Sequence, residues 1–74
     1  MILTVEHEKG PNGEISICFD SEGLSLLLKK LNYLADNRDH LHLTTRAWGG
    51  NELTEVAQGS NNYQLVHSLR LVRL

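Results

Sequence analysis

One segment of the chain has the periodicity of an α-helix, and it separates two regions that alternate like β-strands. Between Asp20 and Asn37, apolar residues recur at spacings of three and four, which defines one face of a helix. Asp20 is suited to cap the N-terminus and Asn37 to end the helix in a left-handed conformation, so the pattern predicts a helix over Ser21–Asp36. The predicted buried face comprises Leu24, Leu27, Leu28, Leu31 and Leu34.

The first 19 residues predict a β-hairpin. Apolar and polar residues alternate from Met1 to Glu8 and again from Glu14 to Phe19, as in half-buried strands. The segment Gly10-Pro11-Asn12-Gly13 between them is typical of a turn. The helix is expected to pack on the apolar residues of this hairpin and of the strand that follows the helix, namely Leu3, Val5, Ile15, Ile17, Phe19, Leu41 and Leu43.

The rest of the chain predicts two or three further strands. Asp39–Thr45 alternates, and it is expected to run parallel to the second strand through a right-handed crossover. Glu52–Ala57 fits a short strand less well, whereas Tyr63–Arg73 fits a long one whose apolar pattern changes phase at His67–Leu69. We therefore predict an α+β fold in a single domain, 1–74. A β-hairpin, one α-helix and the further strands would form a single, mostly antiparallel sheet with the helix packed on one face.

Composition and charge exclude several function classes. Seven Lys and Arg against nine Asp and Glu give a formal net charge of −2, and the basic residues are scattered. Nucleic-acid binding requires clustered cations. No apolar run approaches the roughly 18 residues of a membrane span, and the start of the chain lacks the pattern of a secretory signal. We expect a cytoplasmic protein that binds neither nucleic acid nor a membrane.

Candidate catalytic and metal-binding groups are few. His40 and His42 share one face of a predicted strand, but zinc needs three or four convergent ligands and the others are not identified. Cys18 lies just before the helix, where a thiolate is stabilised, yet strand alternation explains it equally well. Paired carboxylates such as Glu6 and Glu8 fit a solvated face. We expect no enzyme activity, no cofactor and no metal; a metal- or thiol-using protein is the least favoured class.

Trp48 is the only tryptophan, and it lies on an irregular segment. It either fills the end of the core or serves as a binding anchor, with the core position slightly favoured. Gly49 and Gly50 are expected to allow a turn with positive φ beside the ring. Glu52 is the better candidate for a contact with a partner, because a charged side chain beside a turn is seldom needed for packing.

Three runs of the sequence resemble the immunity protein 32 family. Asp39-His40-Leu41-His42-Leu43-Thr44-Thr45 and then Trp48-Gly49-Gly50-Asn51-Glu52-Leu53-Thr54-Glu55 are similar to the family's signature, and Asp20-Ser21-Glu22-Gly23-Leu24 is similar to its helix opening. Members are small bacterial proteins of polymorphic toxin systems, in which an immunity protein binds and neutralises a cognate toxin. The resemblance implies that this chain acts by stoichiometric occlusion of a toxin. The candidate toxin-binding residues are Trp48, Gly49, Gly50, Asn51, Glu52, His40 and His42.

An alternative function is that of a small homodimeric accessory protein without a toxin partner. Any homodimer is expected to use the Tyr63–Leu74 strand, because its Leu and Val residues lie on both faces. The face of the sheet opposite the helix is expected to stay open and is too polar for a large obligate interface. That face carries Thr4, Glu6, Ser16, Cys18, His40, His42 and Thr44.

Overall fold

The structure, a computed structural model, describes residues 1–11 and 13–74. Within these residues the elements are β1 (Leu3–Glu8), β2 (Ile15–Phe19), α1 (Ser21–Asp36), β3 (His40–Thr44), a 3₁₀ turn (Arg46–Trp48), β4 (Tyr63–Val66) and β5 (Ser68–Val72). The predicted α+β fold class is confirmed, with one helix and five strands in antiparallel sheets among the described residues. The predicted turn at 10–13 includes Asn12, which lies outside them.

The strands form two antiparallel sheets, where a single sheet was predicted. In the first sheet β1 is central, and its Val5 lies opposite Ile17 of β2 and Val66 of β4. In the second sheet β3 pairs with β5, and Leu43 lies opposite Leu69. The expected parallel arrangement of β3 with β2 is therefore not formed, because β3 belongs to the other sheet and its neighbour there is antiparallel.

The C-terminal strand is interrupted where its apolar pattern changes phase. β4 ends at Val66 and β5 begins at Ser68, with His67 between them. The His67 carbonyl accepts the N–H of Thr45 at 3.0 Å, so the interruption stays joined to the chain just beyond β3. The single long strand predicted over Tyr63–Arg73 is therefore wrong, because the chain passes from one sheet to the other where the apolar pattern changes phase. The short strand considered for Glu52–Ala57 is not formed, and this segment is irregular.

Helix α1 begins and ends at the residues that the sequence predicts. The Asp20 carboxylate accepts the N–H of Gly23 at 2.8 Å, which caps the first turn. Gly23 is buried, and the Ile2 carbonyl oxygen occupies the space that a Cβ would need, so this position requires glycine. Asn37 ends the helix with φ −136°, not in the expected left-handed conformation. Its side-chain amide donates to the Tyr33 carbonyl at 2.8 Å and so satisfies a terminal acceptor.

The helix buries only part of the predicted leucine face. Leu34 is buried and Leu27 packs, partly buried, against the core. The other leucines of that face are between 38% and 49% exposed: Leu24, Leu28 and Leu31. For these three the predicted packing on the hairpin is not confirmed, because the apolar face of the helix is wider than the core it covers.

The core is formed by both sheets, the helix and the irregular segment before β4. Its buried members are Leu3, Val5, Leu43 and Leu53. Leu53 lies outside the strands, so the loop is a structural part of the domain. In the described part of the chain no helix is long and apolar enough to cross a membrane.

Candidate functional site

The polar face of the first sheet is covered by the loop that precedes β4. Residues 49–62, hereafter the tethered loop, contain no helix or strand. Thr4 and Glu6 on this face are fully buried. The expectation of an open polar face is therefore wrong for these residues, because the tethered loop takes the place of solvent as their partner.

The Glu6 carboxylate holds the end of the tethered loop. It accepts the N–H of Gln58 at 3.0 Å, the N–H of Gly59 at 2.8 Å and the hydroxyl of Thr4 at 2.6 Å. Burial raises the pKa of the Glu6 carboxyl, but these hydrogen bonds to the ionised form outweigh burial and hold the pKa below its ordinary value of 4.5. No buried side-chain polar atom in the described residues lacks a hydrogen-bond partner.

Two further sets of hydrogen bonds hold the beginning of the tethered loop. The N–H of Thr54 donates to the Leu3 carbonyl at 2.8 Å, and the N–H of Leu3 donates to the Thr54 hydroxyl at 3.0 Å. The Glu52 carboxylate accepts the N–H of Thr44 at 3.2 Å and that of Asn51 at 3.1 Å. The loop is therefore attached to both sheets, through β1 and through β3.

Glu52 and the adjacent glycines shape this loop. Burial raises the pKa of the Glu52 carboxyl, but the hydrogen bonds from Thr44 and Asn51 outweigh it and lower the pKa. Gly49, not Gly50, has the expected positive φ, at 88°. A Cβ on Gly50 would overlap the Thr44 hydroxyl and lie 2.6 Å from Oε2 of Glu52, so Gly50 is required for space.

Trp48 projects from the end of the 3₁₀ turn and is 66% exposed, which excludes the favoured position inside the core. Its indole stacks on the imidazole of His67, with ring centroids 6.2 Å apart and planes inclined by 6°. A hydrogen bond of 2.7 Å between Nδ1 of His67 and the Thr45 hydroxyl holds that imidazole in turn. The indole is therefore supported from one side while much of its surface is open to solvent.

A shallow cleft of about 450 Å³ lies between the tethered loop and the 3₁₀ turn that carries Trp48. It is lined by Arg46, Asn51, Leu53, Thr54 and Glu55. The Glu55 carboxylate accepts the N–H of Ala47 at 3.2 Å, which joins the tethered loop to the 3₁₀ turn. Trp48 and this cleft, hereafter the Trp48 surface, combine an exposed ring with one cationic and one anionic side chain.

The two histidine candidates lie on β3. His40 and His42 are exposed, with ring centroids 5.3 Å apart and edge to face. Strand alternation places them on the same face as Thr44, whose hydroxyl adjoins Gly50. Cys18 lies on β2 in the other sheet. Among residues 1–11 and 13–74, no three His, Cys, Asp or Glu side chains converge as metal ligands.

Sequence patterns miss the tethering role of Glu6, which they assign to a solvated face. Its partner Gly59 is 53 residues away, and no periodicity connects the two. The sequence offers one indirect signal for this role. Thr4 lies on the same strand face as Glu6 and can hydrogen-bond to it, and a Gly- and Asn-rich segment elsewhere in the chain can supply backbone N–H donors.

Glu6→Gln is expected to lower the free energy of unfolding by about 1–3 kcal/mol near neutral pH. An amide in place of the carboxylate presents an N–H₂ group to one of the two backbone N–H donors, which then lacks an acceptor. Because the folded-state pKa of Glu6 lies below its unfolded value, ionised Glu6 stabilises the fold above about pH 4.5, and this contribution is lost as the pH falls through the folded-state pKa. The variant should therefore lose less stability on acidification than the wild type.

Urea unfolding near neutral pH and at about pH 3.5 tests this expectation. Glu22→Gln removes the same charge from a side chain that is 76% exposed and should change stability by no more than about 0.5 kcal/mol. Equal effects of the two substitutions would contradict a tethering role for Glu6.

The fold and the Trp48 surface define a small α+β domain that presents a supported aromatic side chain beside a cleft. The family model of Immunity protein 32 matches residues 14–69, which is most of the chain, and the chain belongs to this family. The match includes α1, β3, Trp48 and the tethered loop. No curated protein and no solved structure matches the chain.

Proposed function

We propose that this protein is a bacterial immunity protein that binds a cognate protein toxin in the cytoplasm and neutralises it by stoichiometric occlusion. Membership of the immunity protein 32 family supports this role. The mechanism requires no catalytic group: a domain held over the working surface of a toxin blocks access of the toxin to its target.

The observation that carries the proposed contact surface is the exposed indole of Trp48. Tryptophan is enriched among the residues that dominate binding energies, because a large rigid ring loses much water-exposed area and little conformational entropy on binding. His67 supports the ring, and the tethered loop beside it is fixed by hydrogen bonds to both sheets. A toxin would therefore meet a surface that needs little reorganisation.

The other candidate residues have distinct parts in this proposal. Asn51 lines the cleft and is proposed to contact the toxin directly. Gly49, Gly50 and Glu52 act as positioning residues, through a turn, a close approach and backbone hydrogen bonds respectively. Two exposed imidazoles, those of His40 and His42, extend the surface along β3.

Co-expression with candidate toxin domains, taken from the neighbourhood of this protein's gene, tests the proposed function. We expect growth to be restored and the two purified chains to form a complex of one immunity protein per toxin, measured by calorimetry and light scattering. Toxicity that persists while the soluble, folded protein is present would contradict immunity. A stable homodimer that binds no neighbouring toxin would favour the accessory-protein alternative.

A further inference from the structure

β2 lies at the edge of the first sheet and presents its backbone to solvent. The Glu8 N–H donates to the Glu14 carbonyl at 2.8 Å, and the Asp20 N–H donates to the Ile2 carbonyl at 3.1 Å. Since hydrogen-bonded pairs alternate along an antiparallel ladder, the even-numbered residues of β2 bond to β1. The odd-numbered residues direct their N–H and C=O groups to the outer edge: Ile15, Ile17 and Phe19.

This edge lacks the usual protection against pairing with another strand. Natural edge strands carry charged residues, proline or bulges that block a further strand. β2 reads Ile-Ser-Ile-Cys-Phe, with no charge and no proline, and its register with β1 is continuous. Its Ile15, Ile17 and Phe19 side chains, which lie on the helix-covered face beside Leu3 and Val5, are between 39% and 54% exposed.

The helix continues this apolar surface above β2. The exposed leucines, Leu24, Leu28 and Leu31, lie on one flank of α1. The helix turns a different side to the core, where Leu27 and Leu34 lie with Lys30 between them at spacings of three and four. The leucine flank is therefore turned away from the core, and α1 makes its most frequent strand contacts with β2, the strand that directly precedes it in the chain. The Cβ of Phe19 lies beside Gly23 in the first turn of the helix, so the apolar end of β2 adjoins the start of α1.

We propose that this β2–α1 surface binds a second copy of the chain, with the two β2 strands paired antiparallel about a two-fold axis at Ile17. In that register Ile17 faces its own counterpart, and Ile15 faces Phe19 of the second copy, so every outward backbone group of these residues finds a partner. The axis is perpendicular to the sheet. Both helices therefore lie on the same face, where the leucine flanks meet.

The exposed area fits a second copy, and the charges oppose it only at the ends of the paired strands. The exposed apolar side chains of β2 and α1 present roughly 500 Å² of surface per protomer. Pairing of the two β2 backbones buries further area, so the interface approaches the roughly 800 Å² per partner of a standard complex. An uncharged strand pairs with itself without charge repulsion along its length. Glu14 and Asp20 of the two copies face each other only at the strand ends, so added salt should strengthen the dimer.

The C-terminal strand, the edge expected from sequence for a homodimer, is less suited to this contact. Its Leu65, Leu69 and Leu71 are partly buried against the domain itself. Arg70 is exposed at the middle of β5 and would place like charges close together near a two-fold axis.

Sedimentation equilibrium from about 10 µM to about 0.5 mM, with the chain free of toxin, measures the association. We expect a reversible dimer. Leu28→Lys and Ile15→Lys should each raise the dimer dissociation constant about 10-fold or more by introducing a charge at the interface. The matched control Val56→Lys, at a side chain that is 74% exposed on the tethered loop, should leave it unchanged. Circular dichroism of each variant establishes that it is folded.

Amide hydrogen exchange gives a readout that does not depend on any variant. The N–H groups of Ile15, Ile17 and Phe19 should become protected as the concentration of the wild-type chain rises, since they point away from β1. A chain that is monomeric throughout, a dimer that Leu28→Lys and Ile15→Lys leave intact, or edge amides that stay unprotected in the dimer would each overturn the proposal. Loss of toxin binding in these variants with no dimer in the wild type would assign the surface to the toxin, and this too would overturn it.

Discussion

Replacing Trp48 with alanine is expected to weaken toxin binding by about 30-fold or more while the melting temperature changes little. The ring is mostly exposed, so its removal opens no cavity in the core. What the fold loses is the stacking on His67, which contributes about 1 kcal/mol or less. The complex loses the full area that the indole buries against the toxin.

The chain contains one tryptophan, so its fluorescence reports on this site alone in titrations with a toxin that lacks tryptophan. Titration calorimetry of the wild type and the alanine variant measures the affinity, and a melting curve measures the stability. Tyr33→Ala, which truncates an exposed aromatic side chain on α1, is the matched control and should bind the toxin normally. Unchanged affinity of Trp48→Ala would exclude the Trp48 surface as the main contact, and a sharply lowered melting temperature would contradict its exposed position.

Leu43→Ala is expected to lower the free energy of unfolding by about 2–5 kcal/mol and the melting temperature by roughly 10 °C or more. Leu43 is 0% exposed and belongs to the core cluster that joins β3 to β1 and to Leu53 of the tethered loop. The surrounding side chains cannot collapse fully into the space it leaves, because they are held by two separate sheets. Chemical denaturation followed by circular dichroism measures the change.

Leu28→Ala is the comparison that separates the observed helix packing from the packing predicted by the leucine pattern. If Leu28 packed in the core, as that pattern predicts, its truncation would lower the free energy of unfolding by about 2–5 kcal/mol. Because Leu28 is 49% exposed, we expect a loss of less than about 1 kcal/mol in the free energy of unfolding. The measurement is made at a concentration where the chain is monomeric. Equal losses for Leu43→Ala and Leu28→Ala would show that the helix packs through its leucine face after all.

Local patterns predicted the elements of this fold well. The helix occupies Ser21–Asp36 as predicted, because a capping carboxylate and an amphipathic period act within a few residues of one another. The hairpin strands and the change of phase at His67 were predicted for the same reason, since alternation is a property of adjacent residues.

Which residues bind the toxin stays a prediction, and the structure shows only where the candidates lie. The sequence directed attention to Trp48 and Glu52, and the structure places both on or beside the loop that covers the first sheet. It did not indicate that Trp48 is exposed, that Glu52 accepts backbone N–H groups or that Glu6 is buried. Exposure and hydrogen bonding depend on which distant segment covers a side chain, and a single sequence contains no direct signal for that choice.

The sequence by itself determined the class of the fold, the bounds of its helix, the point at which the apolar pattern of the C-terminal segment changes phase and the resemblance to an immunity family. Only the tertiary structure decided the division into two sheets, the burial of Glu6 under Gly59 and the flank of α1 that stays exposed. The physical reason is the range of the interactions. Capping and periodicity act over a few residues, whereas the tether between Glu6 and Gly59 joins residues 53 positions apart and forms only when the chain has folded.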